Sequence, residues 1–296
     1  MNTLFVRIKK KIEQVSFNFI RRNFSFVGEG YKRKFIDELI GISSKSLSIV
    51  NPDKTLEEIC YAIINKKCGT YMRFGDGDVL LSIGQKEMLQ QNSSCLSIEM
   101  KEAFALNGEF IFKSLSIHSK LYGYEKEMYE GNHLVSDNMA SFLLSNTFPY
   151  FIGSKIYSPI SLHYTSTYYP EKANLVLKII KKNCILFIGN ESTPANIINK
   201  LFGDVQHVKT PYKDAYSKID EIETNAVIAL ENQVEFGVVV VAMGCSGRPL
   251  MKRLYQRGFN IFLFDFGSLL DGICGNKTRL WLEKERINYS ELLKDL

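Results

Sequence analysis

Cysteine, histidine, proline and tryptophan are scarce in this chain of 296 residues, and the scarcity closes off several classes of protein. The six cysteines, Cys60, Cys68, Cys95, Cys184, Cys245 and Cys274, form no CxxC pair, so no zinc site is expected. Cys184 and Cys245 lie in or beside apolar runs, where cysteine behaves as a small hydrophobe, and the set reads as that of a reducing cytoplasm. The four histidines, His118, His133, His163 and His207, lack H-x-x-x-H spacing. Each reads as a surface or satisfied core residue, with His163 placed to face a site by the aromatic run beside it. Trp281 and Tyr289 read as packing residues. No segment approaches the roughly 18 consecutive apolar residues of a spanning helix, and the N-terminus shows no secretory pattern. A large excess of one charge is missing too: 37 Lys and Arg face 32 Asp and Glu, a net +5. That suits an anionic ligand such as a nucleotide, or an acidic membrane face, and does not argue for a nucleic-acid partner.

What is present is a core, with 45% hydrophobic and 23% charged residues. Residues 1–50 read as a helical extension and 51–296 as one α/β domain. In 1–26, Leu4, Ile8, Ile12, Val15 and Phe19 recur at helical spacing among Arg7, Lys9, Lys10, Lys11, Arg21 and Arg22. Such a basic amphipathic helix can make a peripheral membrane contact, at the inner face for a cytoplasmic protein. It can equally pack on the body or on a second copy in a homo-oligomer; periodicity does not separate these. Thr55-Leu56-Glu57-Glu58 predicts a capping box with Thr55 as N-cap and a helix running to Gly69. Thr70–Phe74 then reads as a strand, Gly75–Asp78 as its exit loop, and Val79–Ile83 as a short helix. From about 95 to 170 several helices are expected, with Ser136 or Asp137 as a cap and a polar, aromatic loop from Tyr164 to Pro170.

The last third is clearest. Cys184–Ile188 is a continuous apolar run bounded by Gly189, as in a buried parallel strand. Ser192 and Pro194 open a helix to Leu201. Phe236–Ala242 is a second strand, Gly244–Pro249 a turn, Leu250–Gln256 a helix ended by Gly258, and Phe259–Phe264 a third strand. This predicts an α/β, Rossmann-like, mainly parallel sheet flanked by helices, with right-handed crossovers. Ligands bind beyond the carboxyl ends of such strands. Arg73–Asp78, Gly189–Ser192, Gly244–Arg248 and Asp265–Asp271 could therefore meet at one rim.

Chemistry can be read into each of these turns. Asp76 and Asp78, two carboxylates at i and i+2 around Gly77, can reach one hard ion, Mn²⁺ or Mg²⁺, directly or through water. Arg73 adds a fixed charge toward phosphate. As an ordinary turn, the same run needs no ligand at all. Gly189, Asn190, Glu191 and Ser192 can present backbone N–H groups to a phosphate, or be a plain strand-to-helix turn capped by Ser192. Gly244, Ser246 and Arg248 can contact phosphate, although their run matches neither a dinucleotide nor a P-loop fingerprint. Asp265, Ser268 and Asp271 follow the last strand; either acid can hydrogen-bond a sugar or act as a base.

Taken in order, these residues resemble the bacterial GT-D glycosyltransferases, formerly a domain of unknown function, whose R-F-G-D-G-E motif is matched by Arg73-Phe74-Gly75-Asp76-Gly77-Asp78. The run Thr210-Pro211-Tyr212-Lys213-Asp214-Ala215-Tyr216 is similar to the family's proline-containing segment. Val239–Gly247, Gly258-Phe259 and Asp265-Phe266-Gly267-Ser268 complete a likeness over roughly residues 55–275. The resemblance implies a nucleotide-sugar donor, with a UDP-sugar favoured, a glycan or glycoprotein acceptor, and a divalent metal near Asp76 and Asp78. On the placement of the turns, donor contacts are expected from Arg73, Gly75, Gly189, Asn190, Glu191, Ser192, Lys213, Asp214, Gly244, Ser246, Arg248, Asp265 and Ser268, with Asp76 and Asp78 at the metal and Asp271 the candidate base. The family's glutamate is Asp78 here, which leaves open which carboxylate touches the ion. Two other readings stand beside it: a methyltransferase-like nucleotide enzyme, whose glycine-rich cofactor turn is not clear at Phe187–Glu191, and a non-catalytic polysaccharide-assembly module.

Overall fold

Asn51 and Pro52 start the first helix of the domain, in a computed structural model that describes residues 48–115, 143, 146–147, 150–151, 153, 155–276, 278, 282 and 287–296. The basic segment 1–26, His118, His133, Ser136, Asp137 and Trp281 lie outside the described residues. After a short strand β1 (Ser48–Ile49), helix α1 spans Pro52–Ile64. Its cap is Asn51, whose side chain accepts the Lys54 N–H at 2.8 Å, and not Thr55. An Asx cap followed by proline at the first helical position satisfies the helix start one turn earlier. Thr55 is left inside α1, where its hydroxyl donates to Asn51 O (2.8 Å) and accepts the Ser158 N–H (3.1 Å).

The chain continues through β2 (Gly69–Phe74), α2 (Asp76–Ser82), α3 (Ser94–Ala105), β3 (Ile111–Leu115), β4 (Lys155–Ile156), α4 (Ser161–Tyr168), α5 (Pro170–Asn183) and β5 (Cys184–Asn190). It closes with α6 (Ala195–Phe202), β6 (Gln206–Thr210), α7 (Ile219–Leu230), β7 (Gly237–Ala242), α8 (Gly247–Gln256), β8 (Ile261–Asp265), α9 (Leu269–Ile273) and α10 (Tyr289–Leu292). Six strands form one parallel sheet in the order β3-β2-β8-β7-β5-β6, while β1 and β4 pair separately. The α/β, mainly parallel, helix-flanked architecture expected from the sequence is the one found.

Side-chain alternation along the strands builds both layers. Met72, Leu186, Ile188, Val239, Val241 and Leu263 pack beneath α2, α3, α7 and α8. Tyr71, Phe187, Val238, Val240, Phe262 and Phe264 face α1, α5 and α6. The stretch from Tyr164, expected to be a loop, is the body of α4, which lies against α1 and α5. Its polar residues fold inward: Thr167 donates to His163 O at 3.0 Å, and Thr165 and Ser166 are buried. Packing overrides weak helix propensity here.

An ionic lattice fastens α3 to α7 and α8. Arg253 reaches Glu99 at 2.5 Å, Asp220 at 2.6 Å and Glu223 at 2.9 Å, and Lys252 reaches Glu99 at 3.2 Å. Burial alone would raise the Glu99 pKa, but hydrogen bonds from Arg253 and Tyr216, with the Lys252 charge, override it and hold the carboxyl at about 2. A depressed folded pKa means the contribution is complete above the ordinary 4.5 and is lost as pH falls toward 2. Solvent screening of this partly exposed lattice keeps the loss to about 1–2 kcal/mol, below the ~1.4 kcal/mol per pKa unit of an unscreened group. Urea midpoints followed from pH 7 to pH 2 should show this slope in the native chain and lack it in Glu99→Gln.

Candidate active site

Strand β2 ends at Phe74 and α2 begins at Asp76, so the D-G-D run occupies the first helical turn and not an exit loop. The reason is local. Asp78 Oδ2 accepts the Gly75 N–H at 2.8 Å, closing the helix start, and acids are favoured at that end by the helix dipole. Gly77 is required for space, because a Cβ there would lie 2.7 Å from Glu87 Cγ and 3.2 Å from Cys245 Sγ. Residues two apart on a helix point about 200° away from each other. Asp76 is accordingly exposed to the cleft, while Asp78 is 2% exposed and turned inward.

Asp78 meets Arg248, whose Nε lies 3.3 Å from Asp78 Oδ1 and whose second fork nitrogen lies 3.2 Å from Asp265 Oδ2. Arg248 also donates to Gly244 O and Arg73 O. Burial pushes the Asp78 carboxyl up to about 6 even though Arg248 and the Gly75 N–H pull it down. Burial opposes the Arg248 charge, but Asp265 and Asp78 more than restore it. Desolvation, with the Asp78 charge adding to it, holds the Cys245 thiol well above its ordinary value. Arg73, expected to reach phosphate, is a strut. Its Nε donates to Pro159 O at 2.5 Å and Nη1 to Phe266 O at 3.1 Å, with Nη2 3.4 Å from His163 Nδ1. Gly267 (φ +68°) yields the room, since a Cβ there would sit 1.5 Å from Arg73 Nη1.

Gln90 ties the walls together. This residue is 6% exposed and its carboxamide is saturated. Nε2 donates to Asp214 Oδ1 (2.8 Å) and Gln91 O (3.0 Å); Oε1 accepts from the Tyr216 N–H (3.1 Å) and the Ser246 hydroxyl (2.7 Å). Asp214 Oδ1 also takes the Gln91 N–H at 2.8 Å, and its backbone is left-handed at φ +55°. Three connections, after α2, β6 and β7, are thereby held to one another.

They enclose a cleft of about 470 Å³ at the carboxyl ends of the strands. Of the residues singled out from sequence, Arg73, Gly75, Asp76, Asp78, Asn190, Ser192, Asp214, Gly244, Ser246, Arg248, Asp265, Ser268 and Asp271 line it, as does His163. Gly189, Glu191 and Lys213 stand outside. Gly189 is inside β5, where a Cβ would meet the Phe187 ring at 2.4 Å. Glu191 borders a separate groove with Lys209 and Lys218, and Lys213 is exposed beyond the rim. Ser192 does not cap α6, which starts after Pro194; its N–H and hydroxyl are held by Asn190 Oδ1 at 2.9 and 3.0 Å. Sequence reasoning missed Glu87, Gln90, Thr210, Tyr212 and Cys245 as lining residues. Thr210 and Tyr212 carried a signal, their place in the proline-containing run. Six carboxylates (Asp76, Asp78, Glu87, Asp214, Asp265 and Asp271) line the cleft, Asp78 and Asp265 of them buried against Arg248, with two arginines, both tied to interior oxygens. Among the described residues, no three His, Cys, Asp or Glu cluster to hold a metal by themselves.

With the parallel sheet and the cleft beyond its carboxyl ends in place, residues 71–270 match the family model for the glycosyltransferase GT-D fold. The chain belongs to that family of glycosyltransferases. It is similar in structure to "a new glycosyltransferase (DUF1792) from Streptococcus sanguinis", with a TM-score of 0.59 and 17% identity over 85% of this chain and 94% of that one. It is similar also to the structure reported as "the highly conserved domain of unknown function 1792 has a distinct glycosyltransferase fold", at a TM-score of 0.58 and 14% identity over 90% and 92% of the two chains. No curated protein matches the chain.

Proposed function

We propose that this glycosyltransferase takes its sugar from a nucleoside-diphosphate donor, a UDP-sugar, and passes it to a hydroxyl of a glycan or glycoprotein, assisted by Mn²⁺ or Mg²⁺. One observation carries the proposal: the cleft is rich in carboxylates while Arg73 and Arg248 are bound to interior oxygens. An anionic diphosphate entering such a cleft needs a cation that the lining side chains do not offer. Asp76 fits as a ligand, being exposed to the cleft at a helix start, and a single carboxylate with diphosphate and water oxygens is an ordinary Mg²⁺ set. Asp78 does not fit as a second direct ligand, since it points away from Asp76 and faces Arg248. A bound divalent ion offsets charge on the departing nucleoside diphosphate.

The chain's own residues supply the rest. Gln90 and Arg73 hold the walls, and Arg248 keeps Asp78 and Asp265 in place beneath the reacting centre. Asp271, on the cleft wall with Oδ2 accepting the Thr278 hydroxyl at 2.5 Å, takes the proton of the acceptor hydroxyl as its oxygen bonds to the anomeric carbon. The bond from that carbon to the diphosphate oxygen breaks in the same step. Six free thiols support a reducing, cytoplasmic setting, and no helix among the described residues is long and apolar enough to cross a membrane. A thermal-shift screen of nucleoside diphosphates with and without Mn²⁺ tests the reading. Saturation at a hundredfold excess over Kd should add about 2.7 kcal/mol of apparent stability, only with metal. Silence toward every diphosphate would overturn it, a response to S-adenosylmethionine alone would select the methyltransferase reading, and binding without any transfer would select the assembly module.

A further inference from the structure

Resting on the reading of the cleft as a donor site, we infer that its β5–β6 end is a nucleobase subsite in which Asn190, Thr210 and Tyr212 read a uracil ring. Asn190 and Thr210 are register partners at the carboxyl ends of adjacent strands. Asn190 Oδ1 is occupied by the N–H and hydroxyl of Ser192, which fixes the orientation of the carboxamide. Its Nδ2 finds no protein acceptor among the described residues, so what it offers the cleft is purely a donor. Thr210 is 1% exposed and lines the cleft, yet its hydroxyl has no hydrogen-bond partner. A buried hydroxyl without a partner is rare because desolvation is not repaid, and a ligand atom is one way of repaying it. Two residues on, Tyr212 lines the same end and is 56% exposed, an aromatic face presented to solvent at the rim.

Charge is distributed unevenly along the cleft: at the β5–β6 end the one carboxylate, Asp214, has Oδ1 taken up by the Gln90 side chain and the Gln91 N–H. The lining after β5 (Asn190, Ser192, Thr193, Pro194) and the first residues after β6 carry no charge, whereas Asp76, Asp265 and Asp271 belong to β2, β8 and the turns beyond them. A neutral base belongs at the neutral end, and a diphosphate with its cation at the acidic one. Strands stand about 4.8 Å apart, so β6 and β2, four steps away, are separated by about 19 Å, enough for ribose and diphosphate between. Uracil complements the three groups. A ring carbonyl accepts from Asn190 Nδ2, the ring N–H donates to the Thr210 hydroxyl, and the ring face stacks on Tyr212. Adenine offers a ring nitrogen and an amino group in place of a carbonyl and a ring N–H, on a larger two-ring outline, so the preference for uracil rests on the size and spacing of the subsite.

The test is calorimetric titration of the full chain, with Mn²⁺, using UDP, ADP and inorganic pyrophosphate, the last having no base. UDP should bind tightest. Thr210→Val, which removes the hydroxyl and keeps the shape, and Asn190→Ala should each weaken UDP about tenfold and leave pyrophosphate unchanged. Thr210→Val should not lower the melting temperature of the unliganded protein, since the group it removes has no partner. Equal weakening of UDP and pyrophosphate, or unchanged UDP affinity, overturns the subsite while leaving the donor site standing. If the native chain binds none of the three, the donor reading itself fails and the subsite falls with it.

Discussion

Arg248→Met should lower the unfolding free energy by about 3–5 kcal/mol, the usual loss when one partner of a buried ionic cluster is removed. Asp78 and Asp265 are 2% and 4% exposed, and Arg248 is the cation that both carboxylates touch. Without it, two buried acids face each other, and one of them must bind a proton for the fold to close. Lysine is not an adequate substitute, because a single ammonium cannot span Asp78, Asp265 and the two backbone carbonyls that the guanidinium fork reaches. Adding Asp78→Asn to Arg248→Met should recover part of the loss by removing one of the stranded charges. Urea midpoints of the three variants measure this directly, and a loss below about 1 kcal/mol, the scale of an exposed pair, would show that the cluster is not the support described.

Asp76→Asn should leave the fold within about 1 kcal/mol of native, the range of a charge at a helix start, because its side chain is exposed and supports no core contact. Transfer should fall by about 10²–10³-fold in kcat, the scale of removing one preorganised electrostatic contact at a reacting centre. The Mn²⁺-dependent stabilisation by a diphosphate should disappear with it. The contrast with Asp78 is the informative part. Asp78→Asn should act mainly on stability, through Arg248 and the Gly75 N–H. If instead Asp78→Asn abolished metal-dependent binding while Asp76→Asn did not, the assignment of the two acids would be reversed.

The strands of the sheet centre were legible because they are buried on both faces: Ile185–Ile188, Val238–Val241 and Ile261–Phe264 can be little else. Edge strand β6, Gln-His-Val-Lys-Thr, buries only Val208 and Thr210 and offers no such run. The rim was legible for the same reason as the strands, since residues following parallel strands converge wherever the chain goes between them. Roles within the rim were not. Arg73 and Arg248 each stand near glycine and acids in sequence and read alike as phosphate contacts. Only the distant carbonyls of Pro159 and Phe266 make one a strut, and only Asp78 and Asp265 make the other an interior counter-ion. Gln90 could not be read at all: its partners are 124, 126 and 156 residues away.

That saturated carboxamide also limits how the protein can change over generations. A glutamate at position 90 would put a second carboxylate against Asp214 and leave the Asp214 side chain and Gln91 O without the Nε2 donor. The reverse order is open: asparagine at 214 still accepts from Gln90 through its oxygen, and only then can its amide donate to a glutamate at 90. Positions 90 and 214 should therefore drift as a pair, with 214 moving first, and lineages carrying Glu at 90 beside Asp at 214 should be missing from the history of this fold.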